Sequence, residues 1–591
     1  MGDLPILTRI YRTLKHLGDW LAHSHGQTIS VLALLTAQAT LLAYSATANS
    51  PTRLEPALLA AGVSHWELGR FDLYCVNPPL VRMVAALPIV FLDHRTDWSC
   101  YDESPFRRPE FCVGRKFVQA NGLRSRWLFT VARWSCIPFA LLGGLMCFFW
   151  ARSLWGPKAG LFALALWCFE PNILGHGSLI TNDVPATATG LVASFAFVKW
   201  MASQSSDAAV LAGLALAAAV LTKMTWLFLF ALWPVFVLIQ LLRPGLHNRY
   251  SLLLQSLLIP IVSILTINLA YGMSGTTTSI DSFHFRSLGL ATLQSAINDI
   301  GLNWFPALLP REFIIGLDTQ AVDLEAFPVD AYMHGIWLPD GSIWYYFYAA
   351  LFKVPLGLSL ITLLAVGLGV YQLRSSFSAN RPDRCFDQMV LIVTPMVLGV
   401  ILSWHTEINE HFRYAIPCLG FLIIGGSYVA VVRSQPIRLA GLLSLIFVIT
   451  SSLSNFPHSL AYFNELAGGA ANGHRYLLGS NLDWEQDLYR LADYYRSRAN
   501  QKLWLVYEGA INPNDLGLSC QEVREPDFKS WVSSGTRIPL AEGDLLAVRV
   551  NSLVSAGCHD LKLKIPKSTY TLSPETVCGR TLLVYSLSKT K

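Results

Sequence analysis

Apolar runs close to the length of a bilayer core recur along most of this chain, separated by short polar links and two long polar intervals. A hydrocarbon core takes roughly 20 apolar residues of helix. On that measure about eleven runs qualify as spans: 29–48, 135–152, 159–176, 184–202, 208–222, 225–242, 251–271, 346–371, 388–404, 414–432 and 437–455. Only Thr222-Lys223-Met224 divides 208–222 from 225–242, so this pair is either two spans or one re-entrant unit. No period-two alternation points to a barrel. The pattern changes after 456. Residues 484–498 put Trp484, Leu488, Leu491 and Tyr494 or Tyr495 at helical spacing, and Leu503 to Tyr507 reads as a strand. The expected fold is therefore mainly α: a polytopic membrane helix bundle with large outward loops and a small C-terminal α/β domain. Its parts are an N-terminal segment (1–28), a transmembrane domain (29–455) that includes loops 49–134 and 272–345, and an outward tail (456–591).

Charge orients the bundle. Arg9, Arg12 and Lys15 precede the first run, and links on the same side by parity carry Lys158, Arg243, Arg249, Arg374, Arg381, Arg384, Arg433 and Arg438. The positive-inside rule then puts the N-terminus in the cytoplasm and both long loops and the tail outside. Ala46-Thr47-Ala48 resembles a signal-peptide cleavage site, but the polar lead is long for one, which favours an uncleaved anchor. Residues after 48 face outward in either case.

Composition narrows the class. Of 591 residues 53% are hydrophobic and 14% charged, with a net charge of +5, where soluble domains carry about 25% charge. That excludes a disordered chain and an ordinary cytosolic enzyme. The small net charge and the lack of a dense basic stripe exclude nucleic acid as a partner. The 11 cysteines contain no C-x-x-C pair. Cys75, Cys100 and Cys112 fall in the first loop and Cys520, Cys558 and Cys578 in the tail, so an oxidising compartment permits pairing within either trio, with connectivity open. No phosphate-binding P-loop, dinucleotide fingerprint or G-x-S-x-G elbow is present.

The ionisable residues gather at the outward ends of the runs. Glu55 follows the first run, in Arg53-Leu54-Glu55-Pro56. A carboxylate there can act as base toward an acceptor hydroxyl or help hold a metal, or it can simply cap a helix or pair with Arg53. Asp183 stands at the start of an apolar helix, where the helix dipole alone would favour it; a second acidic or metal-binding group beside Glu55 is the sharper reading. Lys223 interrupts one run and Lys353 lies in another, suited to snorkelling or to reaching an interfacial phosphate. Arg413 suits a phosphate better, because its planar fork binds two oxygens. His405, Glu407, Glu410 and His411 suggest a metal cluster, but the histidines lack the i, i+4 spacing of a helical site. The apolar stretch 80–92 is too short to span and reads as an interfacial helix.

Four blocks together resemble membrane glycosyltransferases of the GT-C fold, the class of the family 39 protein O-mannosyltransferases and the lipid A aminoarabinose transferase, and within it a bacterial subfamily. The first block is an acidic-Pro motif followed by Gly69-Arg70-Phe71-Asp72-Leu73-Tyr74-Cys75-Val76-Asn77-Pro78-Pro79-Leu80. The second is Trp344-Tyr345-Tyr346-Phe347 followed by Lys353-Val354-Pro355, and the third Arg413-Tyr414 with Pro417. The fourth runs from Tyr462-Phe463-Asn464-Glu465 through Gly468-Gly469 to Ser480-Asn481-Leu482-Asp483-Trp484-Glu485-Gln486-Asp487-Leu488.

The resemblance implies transfer of a sugar, with inversion, from a polyprenyl-phosphate carrier to a protein, lipid or glycan acceptor at the outer face of a bacterial inner membrane. It implies Glu55 and Asp183 as acidic groups, Arg413, Lys353 and Lys223 on the phosphate side, and His65, Asn77, Tyr346, Tyr414, Asn464 and Glu465 around the substrate. A divalent cation on Glu55 and Asp183 is compatible with it, and no other cofactor is implied. The chain departs from the pattern at Leu54, where the subfamily has the Asp of an Asp-Glu pair, at Leu58, where it has His, at Gly479 for Asp and at Glu485 for Gly. A non-catalytic relative that binds lipid-linked sugar is one alternative. A transporter is another, disfavoured because charge rings the outer face and avoids the midplane.

Overall fold

The computed structural model describes residues 24–102, 108–243, 248–302, 304–326, 330–376, 382–406, 409–534, 541–564 and 571–586. Arg9, Arg12, Lys15, Arg381 and Glu407 lie outside them. Among the described residues, eight helices are long and apolar enough to cross a membrane, or nine if one sharply bent pair counts as a span. The protein is mainly helical and multi-pass.

The difference from about eleven spans has local causes. The run at 159–176 breaks in two because Glu170 precedes Pro171 and is held extended (φ −67°, ψ 119°). Helix Pro157–Phe169 ends there, and the Glu170 carboxylate accepts from Ile173 N (2.7 Å) to start a second helix, Pro171–His176. The run at 346–371 breaks the same way at Val354-Pro355, and helices Tyr345–Lys353 and Leu356–Gly369 meet at 118°. Helix Ser206–Thr222 has 17 residues and stops at Lys223, which is extended (φ −157°, ψ 130°). A 3-10 turn, Met224–Phe228, then leads into Leu229–Leu241.

The bundle centres on helices Ser125–Trp155, Asp183–Ser203 and Ile416–Gly426, with Trp150, Trp167, Trp200 and Trp226 fully buried. Trp226 lies flat on Gly190, where a Cβ would fall 1.9 Å from the ring, and its indole N–H donates to Ala186 O at 2.8 Å. This contact locks the 224–228 turn to the Asp183–Ser203 helix. The outermost helices keep large apolar side chains exposed, among them Leu257, Ile261 and Leu265, as a lipid-facing surface does.

The first loop folds as helices Glu55–Glu67, Leu80–Ala86 and Pro109–Asn121, stapled by a Cys100–Cys112 disulfide. The expected helix at 80–92 is present but buries Val81, Arg82, Ala85 and Ala86 against its neighbours and leaves Phe91 exposed. In the tail, strands run in the order Gln521–Val523, Leu503–Val506, Leu545–Arg549, Leu582–Ser586, Thr576–Cys578. The first two pairings are parallel and the last two antiparallel. The expected helix and strand around 484–507 correspond to Leu488–Arg496 and Leu503–Val506. Residues 456–487 precede this sheet and lie in short 3-10 turns against the span ends.

Candidate functional site

Three helix ends meet on the face that carries the loops. Asp183 is the first residue of its helix, Lys223 sits in the extended break after Thr222, and Arg413 lies in the turn Phe412–Ala415. Lys223 Nζ donates to Asp183 Oδ1 at 2.8 Å and Arg413 Nη1 to Oδ2 at 3.2 Å. Tyr414 carries the Lys223 ammonium over its ring (4.6 Å to the centroid), and Trp484 faces the Arg413 guanidinium at 4.4 Å. Buried Arg413 and part-buried Lys223 thus share one carboxylate. Arg413 Nε is buried and has no hydrogen-bond partner among the described residues. Burial pushes His176 down to about 3 against the pull of Asp183, so it adds no third cation. Tyr346 and Tyr74 lie within electrostatic reach of Arg413.

The blocks quoted from the sequence hold this cluster in place. Asn481 accepts from Phe412 N (2.9 Å) and donates to Tyr345 Oη (2.9 Å) and Glu410 O (2.7 Å), fixing the residue before Arg413. Lys353 belongs to this frame. Its ammonium donates to Tyr462 O and Asn481 O, each at 2.6 Å, and to Leu460 O at 3.3 Å, with the Phe463 ring 4.7 Å away. Lys353, expected on the phosphate side, thus braces a bent helix against the tail in this structure. Lys353→Met is expected to leave these carbonyls without their donor, and limited proteolysis in detergent should cut 456–482 markedly faster than in the wild type.

Glu55 has no exposure, and its oxygens are fully engaged. Arg133 grips them as a fork (Nε–Oε1 2.8 Å, Nη2–Oε2 2.5 Å). Thr52 N and Oγ1 donate to Oε2 at 2.7 and 3.0 Å, and Ile180 N to Oε1 at 3.1 Å. Burial alone would raise the carboxyl, but Arg133 together with the Thr52 and Ile180 N–H donors holds it below its ordinary value. Arg133 also donates to Asn49 O (2.7 Å) and Ser50 O (2.9 Å). The pair ties the end of the first span to the 178–182 loop, so Glu55, expected as a base or as a partner of Arg53, pairs with Arg133 in this structure. Leu54 packs against the small apolar cluster formed by Leu179, Leu460 and Trp484.

The remaining candidates divide. Tyr346 and Tyr414 are at the cluster. His65 is buried away from it, accepting from Arg82 Nε (2.7 Å) and bonded to Arg70 O (2.7 Å). Asn77 offers its backbone carbonyl to Arg82 (2.6 Å). Asn464 donates to Leu351 O and Val354 O at 2.7 and 2.8 Å, bracing the helix bend, and exposed Glu465 accepts from Ser451 Oγ. His411 pairs with Glu410 (3.1 Å) and is pushed down by burial to about 4. Among the described residues, no three His, Cys, Asp or Glu side chains converge as a metal requires. Glu55 and Asp183 each spend their oxygens on cations, so this donor set does not fit a divalent ion.

Sequence reasoning missed Arg133 and the bracing role of Asn481. Arg133 had a signal: a lone arginine at the edge of an apolar run demands a buried carboxylate. Glu170 was also passed over. It is buried, accepts from Asn172 Nδ2 (2.7 Å), and burial lifts its carboxyl from 4.5 to about 7. A raised acid favours the folded state while protonated, and that contribution is lost as pH rises from about 4.5 through about 7. The thermal midpoint of the wild type should therefore fall across that window relative to Glu170→Gln, whose pH profile should be flatter.

These features define a multi-pass membrane protein with a buried, cation-rich ionic cluster on its loop face. No protein-family model matches the sequence, and no curated protein matches it. Among solved structures the chain is similar to ArnT from Cupriavidus metallidurans bound to undecaprenyl phosphate, at 13% identity and a TM-score of 0.43 over 96% of this chain and 100% of that one. It is also similar to the Archaeoglobus fulgidus oligosaccharyltransferase tethered with an acceptor peptide, at 13% identity and a TM-score of 0.41 over 71% of this chain and 55% of that one. Likenesses of this strength assign neither substrate nor residue roles.

Proposed function

We propose that this protein is a GT-C-type glycosyltransferase that moves a sugar from a polyprenyl-phosphate carrier to an acceptor at the outer face of a bacterial inner membrane, with its N-terminus in the cytoplasm. One observation carries the reading: Lys223 and Arg413 share a single carboxylate, Asp183, at the ends of membrane helices, and Arg413 Nε has no hydrogen-bond partner among the described residues. Buried cations in excess of their carboxylates favour an anion that completes the site. A phosphate on a membrane-embedded lipid reaches that depth without leaving the bilayer.

The chemistry follows from an exchange of partners. The donor phosphate takes Arg413 and Lys223, which frees an Asp183 oxygen. The acceptor hydroxyl attacks the anomeric carbon from the face opposite the phosphate. The new C–O bond forms as the bond to the phosphate oxygen breaks, the electron pair leaves with the phosphate, and the acceptor proton passes to Asp183. The two cations stabilise the charge that grows on the leaving phosphate. Glu55 and Arg133 act at a distance, by setting the 178–182 loop that carries Asp183.

Leu54 favours a second reading. Where the resembled subfamily has an Asp, this chain packs a leucine against the apolar cluster of Leu179, Leu460 and Trp484. A non-catalytic relative would bind lipid-linked sugar without turning it over. Purified protein incubated with polyprenyl-phosphate sugars separates the two. Released polyprenyl phosphate is the expected result, binding without release supports the second reading, and neither binding nor release contradicts both.

A further inference from the structure

A cavity of about 450 Å³ lies between the first and second loops and plays no part in the ionic cluster. Pockets that hold small ligands run from about 300 to 1,000 Å³. One wall is aromatic: Phe283 and Phe285 stack in parallel with ring centres 5.4 Å apart, Phe285 half-exposed. Also in the lining, Arg70 lies over the Tyr101 ring (4.2 Å) and forks onto Asp72 (2.6 and 3.3 Å), which also accepts from Tyr101 Oη at 2.8 Å. On the third side Arg311 stands beside Glu312 (3.9 Å), whose buried Oε2 has no hydrogen-bond partner among the described residues. Among the described residues the lining holds four carboxylates against two arginines.

This mixture selects a ligand class. Side-by-side guanidinium donors and carboxylate acceptors match vicinal hydroxyls, which both give and take hydrogen bonds. Flat aromatic faces take the C–H face of a pyranose ring. The acidic excess repels phosphate and carboxylate, and the unpaired Glu312 oxygen accepts a hydroxyl or an ammonium. A lipid chain would leave the ion pairs without solvent or partner.

The cavity also backs onto the cluster. Gly316, one turn from Glu312, lies so close to Cys75 that a Cβ there would be 2.0 Å from the Cys75 carbonyl oxygen and 3.1 Å from the side chain of Met224. Met224 follows Lys223, so a single layer of chain separates the cavity from the break that carries Lys223.

We infer that this cavity is a saccharide-binding subsite and that the acceptor is a glycan, neutral or amino-bearing, held by Phe283, Phe285, Arg70, Asp72 and Glu312; as an acceptor site it rests on the transferase reading, as a saccharide site it does not. Full-length protein in nanodiscs tests it by saturation-transfer NMR with chitobiose, a glucosamine disaccharide and digalacturonate. The first two are expected to bind, digalacturonate at least about tenfold more weakly, and Phe285→Ala and Glu312→Gln each to weaken chitobiose by about tenfold. No saccharide binding, a preference for digalacturonate, or unaltered binding in both variants would overturn the inference. Undecaprenyl phosphate binding, measured on the same nanodiscs, keeps the two ideas apart. Loss of lipid binding with retained chitobiose binding defeats the transferase reading and the acceptor role but leaves the saccharide site standing. Retained lipid binding without chitobiose binding defeats the subsite alone.

Discussion

Arg413→Ala is expected to lower sugar transfer by about a hundredfold or more while the protein stays folded, because in the proposed reaction it deletes the forked donor to the leaving phosphate. Folding should survive, since Asp183 keeps Lys223 at 2.8 Å and the turn around residue 412 is held by Asn481. Arg413→Lys should recover only part of the loss, because an ammonium restores charge but not the fork that also packs on Trp484. The measurement is kcat/KM for release of polyprenyl phosphate, read beside a thermal melt in detergent. A normal melt with normal transfer in Arg413→Ala would remove the phosphate role.

Arg133→Met should act on stability, by about 3–5 kcal/mol, because it strands the Glu55 carboxylate in the interior. The arginine supplies both forked contacts to Glu55 and caps carbonyls at the end of the first span, and both side chains are within 1% of full burial. Removing both charges should cost far less than removing one, since a well-packed apolar pair often replaces a buried ion pair at little cost. The double variant Glu55→Met with Arg133→Met is therefore expected to melt closer to the wild type than Arg133→Met alone. Glu55→Gln offers the sharper comparison. If it melts normally yet transfers no sugar, Glu55 is a base after all and the bracing role fails.

Much of this architecture was legible because bilayer thickness imposes a length on apolar runs, and helices form over every run named from the sequence. What the run lengths concealed were the interruptions at Glu170-Pro171 and Val354-Pro355, where the residue before a proline leaves the helical region inside an otherwise apolar stretch. The site was legible in part for a similar reason. Asp183, Lys223 and Arg413 are charges at the ends of apolar runs, where burial is costly and a partner is required, so convergence was a reasonable expectation. Chemistry alone could not separate Lys353 from Lys223. Both are lysines in or beside apolar runs, but one turns to three carbonyls and the other to a carboxylate, a difference set by the backbone of the 460–481 segment. The pairing of Glu55 was not legible because its partner Arg133 is 78 residues away and sequence neighbours offered only Arg53.

The central claim is that a lipid phosphate displaces Asp183 from its two cations. A structure of the protein with undecaprenyl phosphate in nanodiscs tests it most directly. The account predicts phosphate oxygens within hydrogen-bond distance of both Arg413 and Lys223, with at least one Asp183 oxygen released toward the acceptor side. A bound phosphate lying elsewhere, with the Asp183–Arg413 and Asp183–Lys223 contacts intact, would contradict it.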